Sequence, residues 1–187
     1  MSVSLMFVCV LLASGLLALE REENTFSRLA RGLVTGGRLL AGKVLLAAGC
    51  AFAVTLAMLL GISAFVPLDH GRIGLWVVAL AGSSLAFGAL GVAIGSIARE
   101  VRAASLLALM LALPLAFLAL VPSGSVSPAL HDVIRAVSAL FPFKPALNAV
   151  NAAVNDSSPG LAVSLAHLGA LIILFGVPAR ASLRRFA

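Results

Sequence analysis

Five long stretches without a single Asp, Glu, Lys or Arg constrain the fold of this chain more than any other feature. They cover Met1–Leu19, Val44–Leu68, Ile73–Ala98, Ala103–Leu130 and Ser157–Ala179. Each stretch is long enough to supply the roughly 18 residues that a helix needs to cross a hydrocarbon core about 30 Å thick. Charged residues make up only 11% of the chain, whereas soluble domains contain about a quarter. We therefore predict an all-α, polytopic membrane protein whose 187 residues form a single transmembrane domain.

The predicted spans cover residues 3–19, 41–66, 73–98, 103–121 and 160–178. The first stretch has no basic residue before it and no convincing small-residue cleavage site after it, so we interpret it as a span and not as a signal peptide. Trp76 lies near one end of the third span, where an interfacial anchor is expected. Cys9 and Cys50 fall in apolar runs, where we expect them to pack and not to form a disulfide.

The basic residues predict the orientation of the spans. Ten Lys and Arg residues lie on one set of alternating loops and three on the other. The positive-inside rule places the richer set in the cytoplasm. We therefore expect a multi-pass protein of the cytoplasmic (inner) membrane, with its amino terminus outside and its carboxy terminus inside. The same rule accounts for the net charge of +6, so nucleic acid is not an expected partner.

The loop after the first span is the longest charged segment. Phe26, Leu29, Ala30 and Leu33 recur at the spacing of one helical face, and Arg28 lies off that face. Asn24 or Thr25 suits the start of such a helix, and the pair Gly36-Gly37 suits its end. We predict a cytoplasmic amphipathic helix over residues 22–35 that contacts something outside the membrane.

The third span has small residues at Ser84, Gly88, Gly91 and Gly95. Small residues at a spacing of four let two helices approach closely in lipid. We predict that these residues form a helix-packing face. The alternative is that glycine is simply common in membrane helices.

Residues 128–155 form the second informative loop, on the outer side. Apolar residues from Leu130 to Leu140 follow a helical period, which favours an amphipathic helix in the membrane interface. Pro142 and Pro145 then predict a break, followed by a short helical piece over Ala146–Val154. A plain structured loop is the alternative to this helix–break–helix arrangement.

The sequence contains no convincing catalytic, metal-binding or nucleotide-binding motif. Residues 37–43 fit G-x-x-x-x-G-K, but Val44 stands where a phosphate loop needs Ser or Thr. The three histidines are scattered, and no Asp or Glu lies inside a predicted span. Ion-coupled transporters generally need such intramembrane groups. We expect no catalytic, metal or cofactor site in this chain, and if it moves a substrate uphill the energy must arrive through a cytoplasmic contact.

Several segments resemble one family of membrane proteins. The segment Leu19-Glu20-Arg21-Glu22-Glu23-Asn24-Thr25, with Gly42-Lys43 further on, resembles the type-2 permease subunits of ATP-binding-cassette exporters. Residues 90–96, 98–100 and 113–115 resemble the later spans of that family, and residues 140–149 resemble its L-x-P-x-x-x-A-L segment. The resemblance covers essentially the whole chain.

The resemblance implies a membrane subunit that pairs with a second permease subunit and binds separate ABC-type ATPase subunits. The ATP and magnesium would then be held by the partner ATPase. ATPase coupling is implied for Glu20, Arg21, Glu22, Glu23, Thr25, Phe26, Arg28 and Arg31. An outer gate is implied for Phe141, Pro142, Phe143 and Asn148.

The chain also departs from the family, which usually has six spans. Here the chain begins at what would be the second span. Three explanations stay open: a first span is missing from the sequence, the protein is a short variant, or another chain supplies the span. The alternative function is therefore a truncated or regulatory scaffold that assembles with partners and transports nothing. A passive channel ranks last, because no ring of charged or amide side chains lines any span.

Overall fold

The structure is a computed structural model that describes residues 2–22, 36–65, 70–98, 100–120, 132, 136, 138–155 and 160–184. The helices in this part of the chain are α1 (Ser2–Glu22), α2 (Gly36–Ser63), α3 (Ile73–Ile97), α4 (Val101–Leu120), α5 (Phe143–Asn155) and α6 (Leu161–Arg184). A single 3-10 turn, His70–Arg72, leads into α3.

Five of these helices are long and apolar enough to cross a membrane. The candidate spans are Ser2–Glu20, Leu40–Ser63, Ile73–Ile97, Val101–Leu118 and Leu161–Ala181. A helix satisfies all of its backbone hydrogen bonds internally, which lipid requires. The predicted all-α membrane fold is confirmed: this is a multi-pass membrane protein.

Helix α3 lies at the centre of the bundle. It packs against α1, α2, α5 and α6, and more sparsely against α4. Its side chains alternate between small and large, with Phe87 and Leu80 buried beside Ala79 and Ala86. Such alternation fills space without voids. The third span therefore contacts every other described helix, although α4 packs mainly against α1.

The observed helices run longer than several predicted spans. Helix α2 begins at Gly36, five residues before the predicted span, and α6 continues to Arg184, six residues past it. The predictions stopped near charged residues, but a helix continues through the interface while its Lys and Arg side chains reach water. Helix α1 likewise continues to Glu22. The rest of the predicted cytoplasmic helix, residues 23–35, lies outside the described residues.

Prolines interrupt the chain less than the sequence suggested. Helix α5 begins at Phe143, so Pro145 lies in its first turn and not between two pieces. The predicted break is found at residues 140–142, between helical residues 138–139 and α5, and not over Phe143-Lys144, because the first turn of a helix does not need the N–H that proline lacks. Helix α4 continues through Pro114. Most of residues 121–137 lies outside the described residues, and so does the predicted outer stripe from Leu130 to Leu140 except Leu140 itself, which is exposed.

Two smaller predictions are corrected by burial. Trp76 is buried inside the bundle, so it is not an anchor facing the membrane interface. Cys9 is buried as expected, but Cys50 is exposed, and both are free thiols. A side chain near the end of a span faces lipid or protein according to its helical face, and the apolar sequence of α3 does not mark that face.

Candidate functional site

One end of the bundle collects most of the described charged residues. The last turn of α1, the first turns of α2, the turn between α3 and α4, and the last turns of α6 all lie there, because consecutive spans alternate in direction. We call this the basic end; its described Lys and Arg residues include Arg38, Lys43, Arg102 and Arg180. It is the end from which the predicted cytoplasmic helix would extend.

An ion pair at the basic end joins α1 to α2. The Lys43 Nζ atom lies 2.5 Å from Oε1 of Glu20, and the two side chains are only 21% and 14% exposed. The other carboxylate oxygen of Glu20 is buried and has no hydrogen-bond partner among the described residues. A charge held this far from water depends on its partner. The pair therefore fixes the exit of α1 relative to the entry of α2.

A second carboxylate links α1 to α4. The Val101 N–H donates to Oε2 of Glu22 over 3.2 Å. Val101 is the first residue of α4, so Glu22 satisfies one of the free N–H groups at that helix start and places a negative charge at the positive end of the helix dipole. Glu20 and Glu22 thus both hold the end of α1 against neighbouring helices.

The other residues that the sequence assigned to ATPase coupling are described only in part. Arg21 lies in the last turn of α1. Glu23, Thr25, Phe26, Arg28 and Arg31 lie outside the described residues. The structure thus shows how the last turn of α1, directly before this segment, is held by Glu20 and Glu22.

The small-residue face of α3 (Ser84, Gly88, Gly91 and Gly95) lies against α1 and α2. A Cβ atom added at Gly91 would lie 2.7 Å from both the Val10 carbonyl oxygen and the Ala13 Cβ. One added at Gly95 would lie 2.7 Å from the Ser14 carbonyl oxygen. Real Cβ atoms do not approach backbone this closely, so at these two positions only glycine allows the observed contact.

The other two members of this face, Ser84 and Gly88, lie farther from the basic end and contact α1 and α2. A Cβ atom at Gly88 would lie 3.2 Å from the Val44 side chain of α2 and 3.6 Å from Cys9 Sγ. The Cys9 thiol donates to the Ser84 carbonyl oxygen over 3.1 Å. Together these contacts follow α1 from Cys9 to Ser14 as α3 runs from Ser84 to Gly95, so α1 and α3 are a closely packed parallel pair.

Five buried hydroxyl groups of the spans are satisfied within their own helices. Each donates to a carbonyl oxygen three or four residues earlier; the bonds are Ser14 to Leu11, Thr55 to Ala51, Ser83 to Ala79, Ser84 to Ala81 and Ser96 to Ala93. Such local bonds are common for Ser and Thr inside helices. These hydroxyls therefore do not need a substrate or a neighbouring helix as a partner.

At the opposite end, α5 covers the bundle. Phe143 is buried, and its ring centroid lies 6.5 Å from that of Phe87 in α3 at an angle of 59°. Phe141 stacks on Phe175 of α6 with a centroid separation of 6.3 Å. Pro142 is fully buried. Aromatic pairs at such distances stabilise packing beyond the area they bury.

Asn148, the fourth residue assigned to an outer gate, lies on α5 and is half-buried. His167, inside α6, lies 2.9 Å through Nε2 from the Ala139 carbonyl oxygen, just before α5. The structure thus brings Phe141, Pro142 and Phe143 into contact with the bundle and ties the same segment to α6 through His167.

The sequence alone did not predict the contacts of Glu20 and Glu22. The sequence did contain a sign of the pair between Glu20 and Lys43. Glu20 ends one span and Lys43 lies at the start of the next, so two antiparallel neighbouring helices place both residues at the same depth in the membrane. No group of three or more His, Cys, Asp or Glu side chains suited to a metal ion occurs among the described residues. The arrangement fits a mechanical or binding role at the basic end.

Comparison with known proteins identifies one family. The family model described as ABC-2 type transporter matches residues 1–154. No curated protein matches this chain.

Proposed function

The chain belongs to the ABC-2 type transporter family and is a transport permease component, and we propose that it is the membrane half of an ATP-driven exporter. In this proposal a separate ABC-type ATPase hydrolyses ATP, and the permease converts the resulting movement into a change in the substrate path. The chain itself catalyses no reaction. We further propose that it lies in the cytoplasmic membrane with its basic end inside the cell.

The distribution of acidic residues supports an external source of energy. All seven Asp and Glu residues lie outside the interiors of the five candidate spans. The spans therefore offer no carboxylate that a proton or sodium ion would need for coupled transport. In our proposal an ATPase partner supplies the energy for transport that these spans do not take from an ion gradient.

The contacts at the basic end are the single observation that carries the coupling proposal. Glu20 and Glu22 hold the last turn of α1 to α2 and α4, and α1 packs along α3 through the small-residue face. A force applied to the segment after Glu22 would therefore reach the central helix through packed, rigid elements. In our proposal Glu20 and Glu22 position the segment, while Arg28 and Arg31 contact the ATPase.

A second permease subunit is also part of the proposal. Helices α2, α4 and α6 carry exposed large apolar residues, among them Leu45, Met110 and Ile173. In a membrane these surfaces face lipid or another permease. A substrate path between two such subunits would need no polar lining inside this chain, in agreement with its internally bonded hydroxyls.

The experiment is an affinity purification of the tagged chain from its native membrane. We expect an ABC-type ATPase to co-purify. Reversing the charges of the loop, Arg28→Glu with Arg31→Glu, should abolish its recovery. The control Asp132→Lys, an exposed acid toward the opposite end, should leave recovery unchanged.

Two results would contradict the proposal. One is a preparation with no ATPase from membranes in which an ABC ATPase is expressed. The other is equal recovery of the ATPase with wild type and with the double reversal. Recovery of an ATPase without substrate flux in liposomes would favour the alternative of a regulatory scaffold.

A further inference from the structure

A groove at the basic end separates α2 from α6 above α3. It encloses about 570 Å³. Its apolar walls come from all three helices and include Val44, Val92 and Ile172. Helices α2 and α6 contact each other only sparsely, so the groove opens on the side of the bundle.

Two arginines line this groove, one from each flanking helix. Arg38 lies in the first turn of α2 and Arg180 in the last turns of α6, and both are exposed. Among the described lining residues none is acidic. In the described part of the chain neither guanidinium forms an ion pair, and the ion pair found there joins Lys43 to Glu20.

The groove thus combines a positively charged rim with an apolar wall. Its volume lies within the range of about 300–1,000 Å³ that is typical of ligand sites. Basic pockets between membrane helices suit anionic lipid headgroups, and a guanidinium forms two parallel hydrogen bonds with a phosphate. The walls along Val44 and Ile172 continue in the direction of the bilayer core, where acyl chains lie.

We propose that this groove binds one anionic phospholipid, with its phosphate between Arg38 and Arg180 and an acyl chain along α2 and α6. The inference does not depend on the transport role, because it rests on charge and shape alone. A second copy of the chain fits the groove less well. A two-fold contact through the same surface brings two copies of each arginine together, and no described lining residue provides an acid to balance them.

Native mass spectrometry of the purified full chain in detergent tests the proposal. The probes are phosphatidylglycerol and phosphatidylcholine with identical acyl chains. We expect wild type to bind one phosphatidylglycerol more tightly than phosphatidylcholine. The variants Arg38→Gln and Arg180→Gln should each weaken phosphatidylglycerol binding about fivefold. The control Arg102→Gln removes a basic residue of the same end that does not line the groove, and it should change nothing.

A second pair of variants tests the shape of the groove. A Cβ atom at Gly176, which lines the groove, meets nothing within 4 Å. Gly176→Phe should fill the groove and reduce binding of both lipids. Leu174→Phe, on the opposite face of the same helix and outside the groove, should leave binding at the wild-type level.

Three outcomes would overturn the proposal. The first is equal affinity for the two lipids. The second is a loss of binding in Arg102→Gln as large as in the two groove variants. The third is a Gly176→Phe protein that binds phosphatidylglycerol normally but no longer forms dimers, since the groove would then be an interface between copies. Melting temperatures of all variants in detergent show that each compared protein is folded.

Discussion

Helices α1 and α3 are more deeply buried in the bundle than α2, α4 and α6. In the candidate spans, 50% and 67% of the residues of α1 and α3 are buried, compared with 28%, 28% and 17% for α2, α4 and α6. Alanine, glycine and serine make up about half of α3, whereas exposed leucine, isoleucine and valine are frequent on α2, α4 and α6. Helices α1 and α3 therefore find much of their packing within the chain, whereas α2, α4 and α6 leave apolar surface for lipid or for another subunit.

Substitutions at the α1–α3 contact and substitutions on the outer faces of α2, α4 and α6 should therefore have different effects. Substitutions between α1 and α3 change contacts within one chain, so they should affect folding. Substitutions on the outer faces exchange one lipid-exposed group for another, so they should affect stability little and association more.

The largest effect is expected where a large side chain is lost from the centre. Phe87→Ala should lower the free energy of unfolding by about 3 kcal/mol, near the lower limit for a buried phenylalanine, because the reference state is lipid and not water. Phe117→Ala, on α4, removes a ring that is 66% exposed and should have almost no effect. Unfolding in mixed micelles measures both. A similar decrease in the free energy of unfolding at Phe87 and Phe117 would show that burial in the bundle does not determine how much a side chain stabilises it.

The glycines should show a smaller but graded effect. Gly91→Ala and Gly95→Ala should each cost about 2 kcal/mol, because the added methyl group meets backbone at 2.7 Å. Gly15→Ala on α1, where a Cβ meets nothing within 4 Å, should be neutral or stabilising by up to about 1 kcal/mol. The measurement is the same unfolding assay. A stable Gly95→Ala protein would disprove the close approach of α1 to α3.

Loss of the ion pair should cost less than the glycine substitutions. Glu20→Gln or Lys43→Met alone should destabilise by about 1.5 kcal/mol, since each leaves a partly buried charge without its partner. The double variant should recover most of this loss. A double-mutant cycle checks the pair, and strictly additive single effects would contradict it.

The smallest effect is expected at the start of α4. Glu22→Ala removes the oxygen that accepts from the Val101 N–H and should cost about 0.5 kcal/mol, because the contact is exposed. Glu22→Gln keeps an acceptor oxygen and should lose less. Hydrogen exchange at the Val101 amide is the most sensitive measurement. Exchange equally fast in wild type and Glu22→Ala would rule out the contact.

The sequence predicted the fold class well, because five apolar stretches leave few alternatives in lipid. It also predicted the small-residue face of α3, but not which helix lies against it. Glycine allows the close approach of any helix, so the sequence of α3 does not show which helix packs against this face. That depends on how the spans are arranged in the bundle. Trp76 shows the same limit: in an apolar helix with no polar face, composition does not distinguish the lipid side from the protein side.

The candidate site was predictable in kind but not in detail. The sequence pointed to Glu20 and Glu22 as contact residues for an ATPase, whereas the structure shows both in contacts within the bundle. Charged residues at span ends serve either purpose, and only the position of Lys43 and of the α4 start distinguishes them. The groove between α2 and α6 was not foreseen, because Arg38 and Arg180 are far apart in the sequence.

The central claim is that an ATPase drives this bundle through the segment that follows α1. The most direct measurement is ATP hydrolysis by the partner ATPase in proteoliposomes, alone and with this chain. We predict that wild type changes the hydrolysis rate and that Arg28→Glu with Arg31→Glu returns it to the rate of the ATPase alone. A rate that is the same with wild type, with the double reversal and with no permease at all would contradict the account.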